Sequence, residues 1–246
     1  MRYLVLTDIH ANLEALDACL LDAAARDCGP LVVLGDLVGY GADPNAVVDR
    51  IRDLQPIAMV RGNHDKVATG LESAESFNHV ARAAVTWTAS ALTPDNRRWV
   101  ADLPQGPRPL DDAMLICHGS PVDEDEYIFG SLEAQSALAA CPWPLCLFGH
   151  THCQAVFELE GTTLSEVRLA AMPLTVRLEP SVKYLVNPGA VGQPRDADPR
   201  AAYAIVDTSR SHVELHRVVY PIHIAQEKIR RAGLPRALAD RLALGR

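Results

Sequence analysis

The feature that most constrains this chain is a repeated local pattern. Five short apolar runs each give way to His, Asp, Asn or Gly. Arg2–Leu6 runs into Asp8-Ile9-His10, and Leu31–Leu34 into Gly35-Asp36. Ile57–Val60 is followed by Gly62-Asn63-His64-Asp65. Met114–Cys117 ends in His118-Gly119, and Leu145–Phe148 ends in Gly149-His150-Thr151-His152. Short apolar runs of this length read as buried strands. Between the first three lie helical patterns. Asn12–Arg26 is rich in Ala and Leu and stops at Cys28-Gly29-Pro30, and Asn45–Leu54 follows a first-turn proline, Pro44. Strands alternating with helices predict a parallel sheet of βαβ units. In open α/β sheets ligands bind outside the carboxyl ends of the strands, so five strands deliver their polar residues to one edge.

The rest of the chain divides in two. Phe77–Leu92 and Asp95–Leu103 read as helices, and Pro104, Pro107 and Pro109 as a surface connection; Ser131–Ala140 reads as a further helix. From Cys153 onward the pattern is strands without helices: Gln154–Leu159, Gly161–Val167, Leu174–Leu178, Lys183–Val186, Ala202–Asp207 and His212–Val218. These are expected to form an antiparallel set joined by turns. Ile222–Arg231 and Arg236–Leu244 are amphipathic helices. This C-terminal segment, 221–246, is expected to pack on the domain or to pair two subunits in a homodimer, through Ile224, Leu234, Leu238 and Leu242. A length of 246 residues with 48% hydrophobic content is consistent with one domain over 1–246 and excludes a disordered chain.

Charge and cysteines narrow the partners. With 23 basic and 31 acidic residues the net charge is −8, which argues against a nucleic-acid partner. No run reaches the ~18–20 apolar residues of a membrane span, and the N-terminus lacks the pattern of a secretory signal. A cytoplasmic location with no membrane partner is the expectation. The six cysteines contain no C-x-x-C pair, and reduced thiols are expected.

Asp8, His10, Asp36, Asn63, His118, His150 and His152 supply three oxygen ligands and four imidazoles. That is too many for one zinc ion, and it suits two ions in mixed coordination sharing a carboxylate. Two metals ~3.5–4 Å apart clamp the attacking and leaving oxygens of a displacement at phosphorus. Gly35, Gly62, Gly119 and Gly149 stand beside these ligands, where the backbone must turn sharply and let a substrate approach. An isolated D-x-H or Gly-Asp is common in turns. The ordered set of five, each after a strand, is not.

These motifs resemble those of the calcineurin-like metallophosphoesterases, closest to the small bacterial and archaeal phosphoesterases, over Met1 to about Pro199. The resemblance implies an α/β fold, a four-layer αββα sandwich of two mixed β-sheets. It implies one metal on Asp8, His10, Asp36 and His152 and a second on Asp36, Asn63, His118 and His150, with Asp36 and a water or hydroxide bridging them. The ions would be two divalent or trivalent transition metals, Mn, Fe, Zn or Ni, since such mixed sites accept any of these. The implied activity is hydrolysis of a small phosphomonoester or phosphodiester by direct attack of the bridging hydroxide, with His64 stabilising or protonating the leaving oxygen. A metal-binding scaffold without activity and a nuclease are the alternatives.

The chain departs from the family's protein serine/threonine phosphatases at the second motif. Those have Gly-Asp-x-x-Asp-Arg-Gly, whereas here Gly39 and Tyr40 stand in place of the second aspartate and the arginine. Asp65 then becomes the candidate orienter of His64. Arg195, in the Gly/Pro-rich loop Asn187–Asp196, becomes a candidate phosphate clamp, and Asn63 also lies within reach of substrate. Tyr40 and Asn12 are expected behind the ligands. His79, His212, His216 and His223 are expected on the surface, Cys117 and Cys153 in the core, and Asp123–Glu126 in a solvated loop.

Overall fold

The computed structural model describes all residues, Met1–Arg246. Its elements run β1 (Arg2–Leu6), α1 (Leu13–Ala24), β2 (Leu31–Val33), α2 (Pro44–Asp53), β3 (Ala58–Met59), α3 (Asn63–Thr69), α4 (His79–Ala91), α5 (Pro94–Ala101), β4 (Arg108–Pro109), β5 (Met114–Ile116), α6 (Ser131–Ala140) and β6 (Leu145–Leu147). Then follow β7 (Ala155–Glu160), β8 (Thr163–Glu166), β9 (Leu174–Arg177), β10 (Val182–Asn187), β11 (Ala201–Asp207), β12 (His212–Val218), α7 (Ile222–Arg231) and α8 (Arg236–Leu242).

The strands form two six-stranded sheets, ordered β3-β2-β1-β11-β12-β9 and β4-β5-β6-β10-β7-β8. Each is mixed. β1, β2 and β3 run parallel, and β11 joins β1 antiparallel. In the second sheet β5, β6 and β10 run parallel, and β7 joins β10 antiparallel. The late strands therefore do not form one antiparallel set. They divide between the sheets, because each parallel core leaves an open edge with unpaired backbone groups to be satisfied.

Side-chain alternation builds the layers. On β1, Leu4 and Leu6 face the helices α1, α2, α4 and α5, while Tyr3 and Val5 face the other sheet. On β5 and β6, Met114, Ile116, Leu145 and Leu147 enter the space between the sheets, and Leu115, Cys146 and Phe148 pack on α6. Such alternation is what a strand covered on both faces requires. The result is the four-layer αββα sandwich of two mixed sheets.

The C-terminal helices join the outer helical layer. Ala225, Ile229, Leu238 and Leu242 are buried against α1 and its neighbours, together with Leu234, whereas Ile224 stays exposed. Two elements go beyond the sequence reading. α3 begins inside the Gly62-Asn63-His64-Asp65 motif, and the proline connection contains β4, an edge strand where Pro109 is tolerated. No helix is long and apolar enough to cross a membrane.

Candidate metal centre

The carboxyl ends of β1, β2, β5 and β6 and the start of α3 converge at one edge. Asp8, His10, Asp36 and His152 bring a ligand atom each to within 4.8 Å of one another, and Asp36, His118 and His150 do the same, all buried. Asp36 belongs to both groups. Asn63 adds its side-chain oxygen 3.2 Å from His118 Nε2.

Backbone strain marks the same residues. Asp8, His10, Asp36, His150 and His152 all have φ between 48° and 68°, in the left-handed region that non-glycine residues avoid. Strain of this kind survives only where the surrounding structure fixes it, and it concentrates at functional sites. Gly62 allows a close approach to Asp36. A Cβ there would lie 2.1 Å from Asp36 Oδ1.

The hydrogen bonds fix which nitrogen each imidazole presents. His10, His118 and His152 direct Nδ1 at the carbonyl oxygens of Val38, Leu34 and Gln193, at 3.0, 2.8 and 2.7 Å. A carbonyl only accepts, so each Nδ1 carries the hydrogen and each Nε2 is left to face the cluster. His150 is reversed: its Nε2 donates to the Asp125 carbonyl at 3.1 Å.

The donors then confront one another. His10 Nε2 and His152 Nε2 are 3.0 Å apart, and neither ring has a second hydrogen to share when neutral. Asp8 Oδ1 is buried without a hydrogen-bond partner, 3.3 Å from His152 Nε2. Asp8 Oδ2 accepts from Thr7 Oγ1 and His150 N, and Asp36 Oδ1 accepts from His64 N. The remaining oxygens and Nε2 atoms point inward at nothing but each other. Lone pairs gathered in this way fit a bound cation.

Electrostatics set His118 apart from the other imidazoles. Burial disfavours the charge on every group here. It holds the His10 and His152 imidazoles well below their usual range. At His118 burial acts the same way, but Asp36 and Asp8 outweigh it and raise the pKa to about 10. Asp36 is held well below the carboxylate range: burial opposes ionisation, and His118, His64 and His10 overcome it.

His64 stands beside the cluster as no ligand. Burial, with help from Arg195 and His118 and against the pull of Asp36, lowers its pKa to about 4, so the ring is neutral at pH 7. Its Nδ1 is buried with no hydrogen-bond partner. Asp65 does not orient it. Asp65 Oδ1 accepts from Leu37 N and Val38 N, and Oδ2 accepts from Gly62 N, 3.0 Å away. As the third residue of α3, Asp65 ties the helix start to the loop after β2, and no hydrogen bond joins its carboxylate to the His64 ring. Instead His64 packs on Gly39, where a Cβ would lie 2.4 Å from Nδ1, and on Tyr40, with ring centroids 4.4 Å apart.

Arg195 stands over Tyr40. Its guanidinium lies 5.4 Å over the Tyr40 ring, Nη2 donates to Gln193 Oε1 at 3.0 Å, and Nε is buried without a partner. Tyr40 thus seats Arg195 beside the cluster, on a residue that stands where the phosphatases carry their own arginine.

Other expectations divide. Asn12 caps α1 and donates to the Gly192 carbonyl, outside the cluster. His79 and His223 are exposed, but His216 is buried and stacks on Tyr203 at 4.8 Å. The alternation of β12 sends it inward. All six cysteines are free; Cys117 is in the core, whereas Cys153 is half-buried. The acidic run is not simply solvated: Glu124 pairs with Arg61 at 2.8 Å and Lys66 at 3.3 Å. Two residues at the cleft had no motif to announce them. Tyr127 stacks on His150 at 3.6 Å, and Phe77 lies 4.7 Å from His64. The one sequence signal for Tyr127 was its spacing two residues from Phe129 in a polar loop.

Comparison with known proteins identifies the family and the fold. Residues 1–211 match the model of the calcineurin-like phosphoesterase superfamily domain. An uncharacterised protein of Methanocaldococcus jannaschii is 37% identical, over 98% of this chain and 97% of its own. A metallophosphoesterase from Sphaerobacter thermophilus of known crystal structure is 39% identical and superposes with a TM-score of 0.87, covering 100% of this chain and 99% of its own. A hypothetical protein from Pyrococcus horikoshii, 20% identical, shares the fold with a TM-score of 0.79 over 100% of this chain and 98% of its own. The chain belongs to the calcineurin-like phosphoesterase superfamily.

Proposed function

We propose that this chain is a dinuclear metal-dependent phosphoesterase acting on a small phosphate ester. The observation that carries the reading is the apposition of His10 Nε2, His152 Nε2 and the unpartnered Asp8 Oδ1 in the first of two donor groups that share Asp36. Asp8, His10, Asp36 and His152 would hold one ion, and Asp36, Asn63, His118 and His150 the other. Mn, Fe, Zn and Ni all suit this donor set. Bound there, the ions would neutralise phosphoryl charge and lower the pKa of an attacking water.

The chain's own residues then have separate tasks. Arg195 grips a phosphoryl oxygen, its guanidinium oriented by Tyr40 and Gln193. His64 faces the leaving group. As a neutral imidazole it can donate one ring N–H to the leaving oxygen as negative charge develops. No side chain need be covalently modified.

The test is turnover of p-nitrophenyl phosphate and bis(p-nitrophenyl) phosphate by protein loaded with Mn²⁺, Ni²⁺, Zn²⁺ or Fe²⁺. Hydrolysis that His64→Ala lowers, with bound metal unchanged, is expected. No turnover with any of the four metals would overturn the reading.

A further inference from the structure

A buried guanidinium stands outside both donor groups, behind them. Arg217 is the sixth residue of β12, and its side chain is only 3% exposed. Its Nε donates to Gln154 Oε1 at 2.8 Å, and its Nη2 donates to Asp196 Oδ2. Nη1 donates to the carbonyl oxygens of Arg200 and Asp198, at 3.1 and 3.4 Å. Gln154 and Asp196 also hold each other, since Asp196 Oδ2 accepts from Gln154 N at 3.1 Å. Gln154 Nε2 donates to the His216 carbonyl at 3.1 Å, so the ring of bonds closes on the strand that carries Arg217. Gly189 makes room for this: a Cβ there would lie 2.6 Å from Gln154 Cγ.

Both side-chain partners of Arg217 lead back to the centre. Gln154 stands two residues after His152, and Asp196 directly follows Arg195. The Gln193 carbonyl accepts from His152 Nδ1 at 2.7 Å, and Arg195 N donates to the His152 carbonyl at 3.1 Å. The loop 193–196 and the His152 segment are thus bound to each other, and Arg217 holds each by its far end. His152 needs such a hold, because its φ of 61° is unfavourable for a residue with a Cβ. A buried guanidinium that lost its carboxylate would be costly, which keeps Arg217 and Asp196 together. The planar fork meets four acceptors at fixed angles, which an ammonium group cannot do.

We infer that Arg217 is a positioning residue for the centre: by fixing Gln154 and Asp196 it sets both His152, for the metal, and Arg195, for phosphate. The Arg195 half rests on the phosphoesterase reading, whereas the His152 half needs only metal binding. Groups that orient metal ligands from behind change metal affinity by roughly 10–100-fold when they are replaced.

The test uses the full chain with Arg217→Lys, which keeps the charge and loses the fork, and with Asp196→Asn, which keeps the shape and loses the charge. Val213→Ala is the control, because it removes buried packing from the same strand four residues away. Circular dichroism checks that each variant folds. Mn²⁺ is titrated calorimetrically into metal-free protein, and KM and kcat for p-nitrophenyl phosphate are measured at saturating Mn²⁺. Arg217→Lys is expected to raise the Kd for Mn²⁺ by about tenfold. KM should rise by at least about threefold and kcat stay within about twofold, because His64 stands on α3, outside the network. Asp196→Asn should shift Kd and KM in the same direction, and it decides the matter if Arg217→Lys does not fold. Val213→Ala should leave both within about twofold. Folded variants with unchanged Kd and KM, or a control that shifts them equally, would make Arg217 a brace of the fold alone and overturn the inference. A raised Kd with KM unchanged would overturn the Arg195 half. Weakened Mn²⁺ binding in the variants, with no turnover by the unmodified chain, would instead leave the His152 half standing and remove the phosphoesterase reading.

Discussion

His10 Nε2 and His152 Nε2 lie 3.0 Å apart, each ring anchored through Nδ1 to a backbone carbonyl. Two lone pairs at that distance repel, and a shared cation turns the repulsion into attraction. Metal should therefore stabilise the fold. A ligand at 100 times its Kd adds about 2.7 kcal/mol. Thermal melting with and without Mn²⁺ is expected to show a clear rise in Tm. His152→Ala should reduce that rise and lower the metal bound per chain, as read by elemental analysis.

Gly39→Ala isolates the placement of His64. The new methyl would meet the imidazole, and φ of +92° at this position adds backbone strain. Turnover should fall by at least about tenfold, with metal content unchanged, because no metal ligand is touched. General acid–base and hydrogen-bonding groups contribute on the order of 10²–10⁴ in rate, so a displaced His64 has that much to lose. Steady-state kinetics beside metal analysis checks this.

Arg195→Ala removes the guanidinium seated on Tyr40. A charge-assisted contact to phosphate is worth roughly 1.5–3 kcal/mol, so KM for a phosphoester should rise by about tenfold or more. Metal content should stay the same. An unchanged KM would place phosphate recognition elsewhere.

Leu238→Ala tests whether the C-terminal helices are part of the fold. The side chain is fully buried in the outer helical layer. Truncating a buried leucine costs about 2–5 kcal/mol. Urea denaturation should show a loss of that size. A loss below about 0.5 kcal/mol, the range of surface positions, would mean that α8 is detachable.

Asp207 sets an acid limit on stability. The Ser209 hydroxyl and Arg2, against the effect of burial, hold its carboxyl down at about 2. An unfolded aspartate titrates near ~3.9. A folded-state pKa below the unfolded one contributes stability that is fully present above the unfolded value and is lost as pH falls toward the folded value. Between roughly pH 5 and pH 2 the natural chain should lose on the order of 1–2 kcal/mol more than Asp207→Asn. Urea midpoints across that range measure the difference.

Most of the site was legible because its residues follow strands, and strand ends are fixed by the apolar runs before them. Asp8, Asp36, His118 and His150 could thus be grouped without coordinates. The layering was legible for the same reason, in the alternation of runs such as Met114–Cys117. What lay hidden depends on contacts distant in sequence. Asp65 reads as a partner of its neighbour His64, yet the backbone of Leu37 and Val38 takes its carboxylate. β11 reads as one of a late antiparallel set, yet pairs with β1 across the whole chain. His216 reads as a surface histidine because one polar residue in a short strand does not reveal which face it occupies.

The most direct test of the account joins hydrolysis to metal content in the same samples. The unmodified chain, His64→Ala and Asp36→Asn are each loaded with Mn²⁺, assayed on a phosphoester and analysed for bound metal. The account predicts two ions and turnover in the unmodified chain, two ions with turnover lowered on the order of 10²-fold or more in His64→Ala, and loss of both metal and turnover in Asp36→Asn. Full metal binding in Asp36→Asn, or turnover by the unmodified chain that needs no metal, would contradict it.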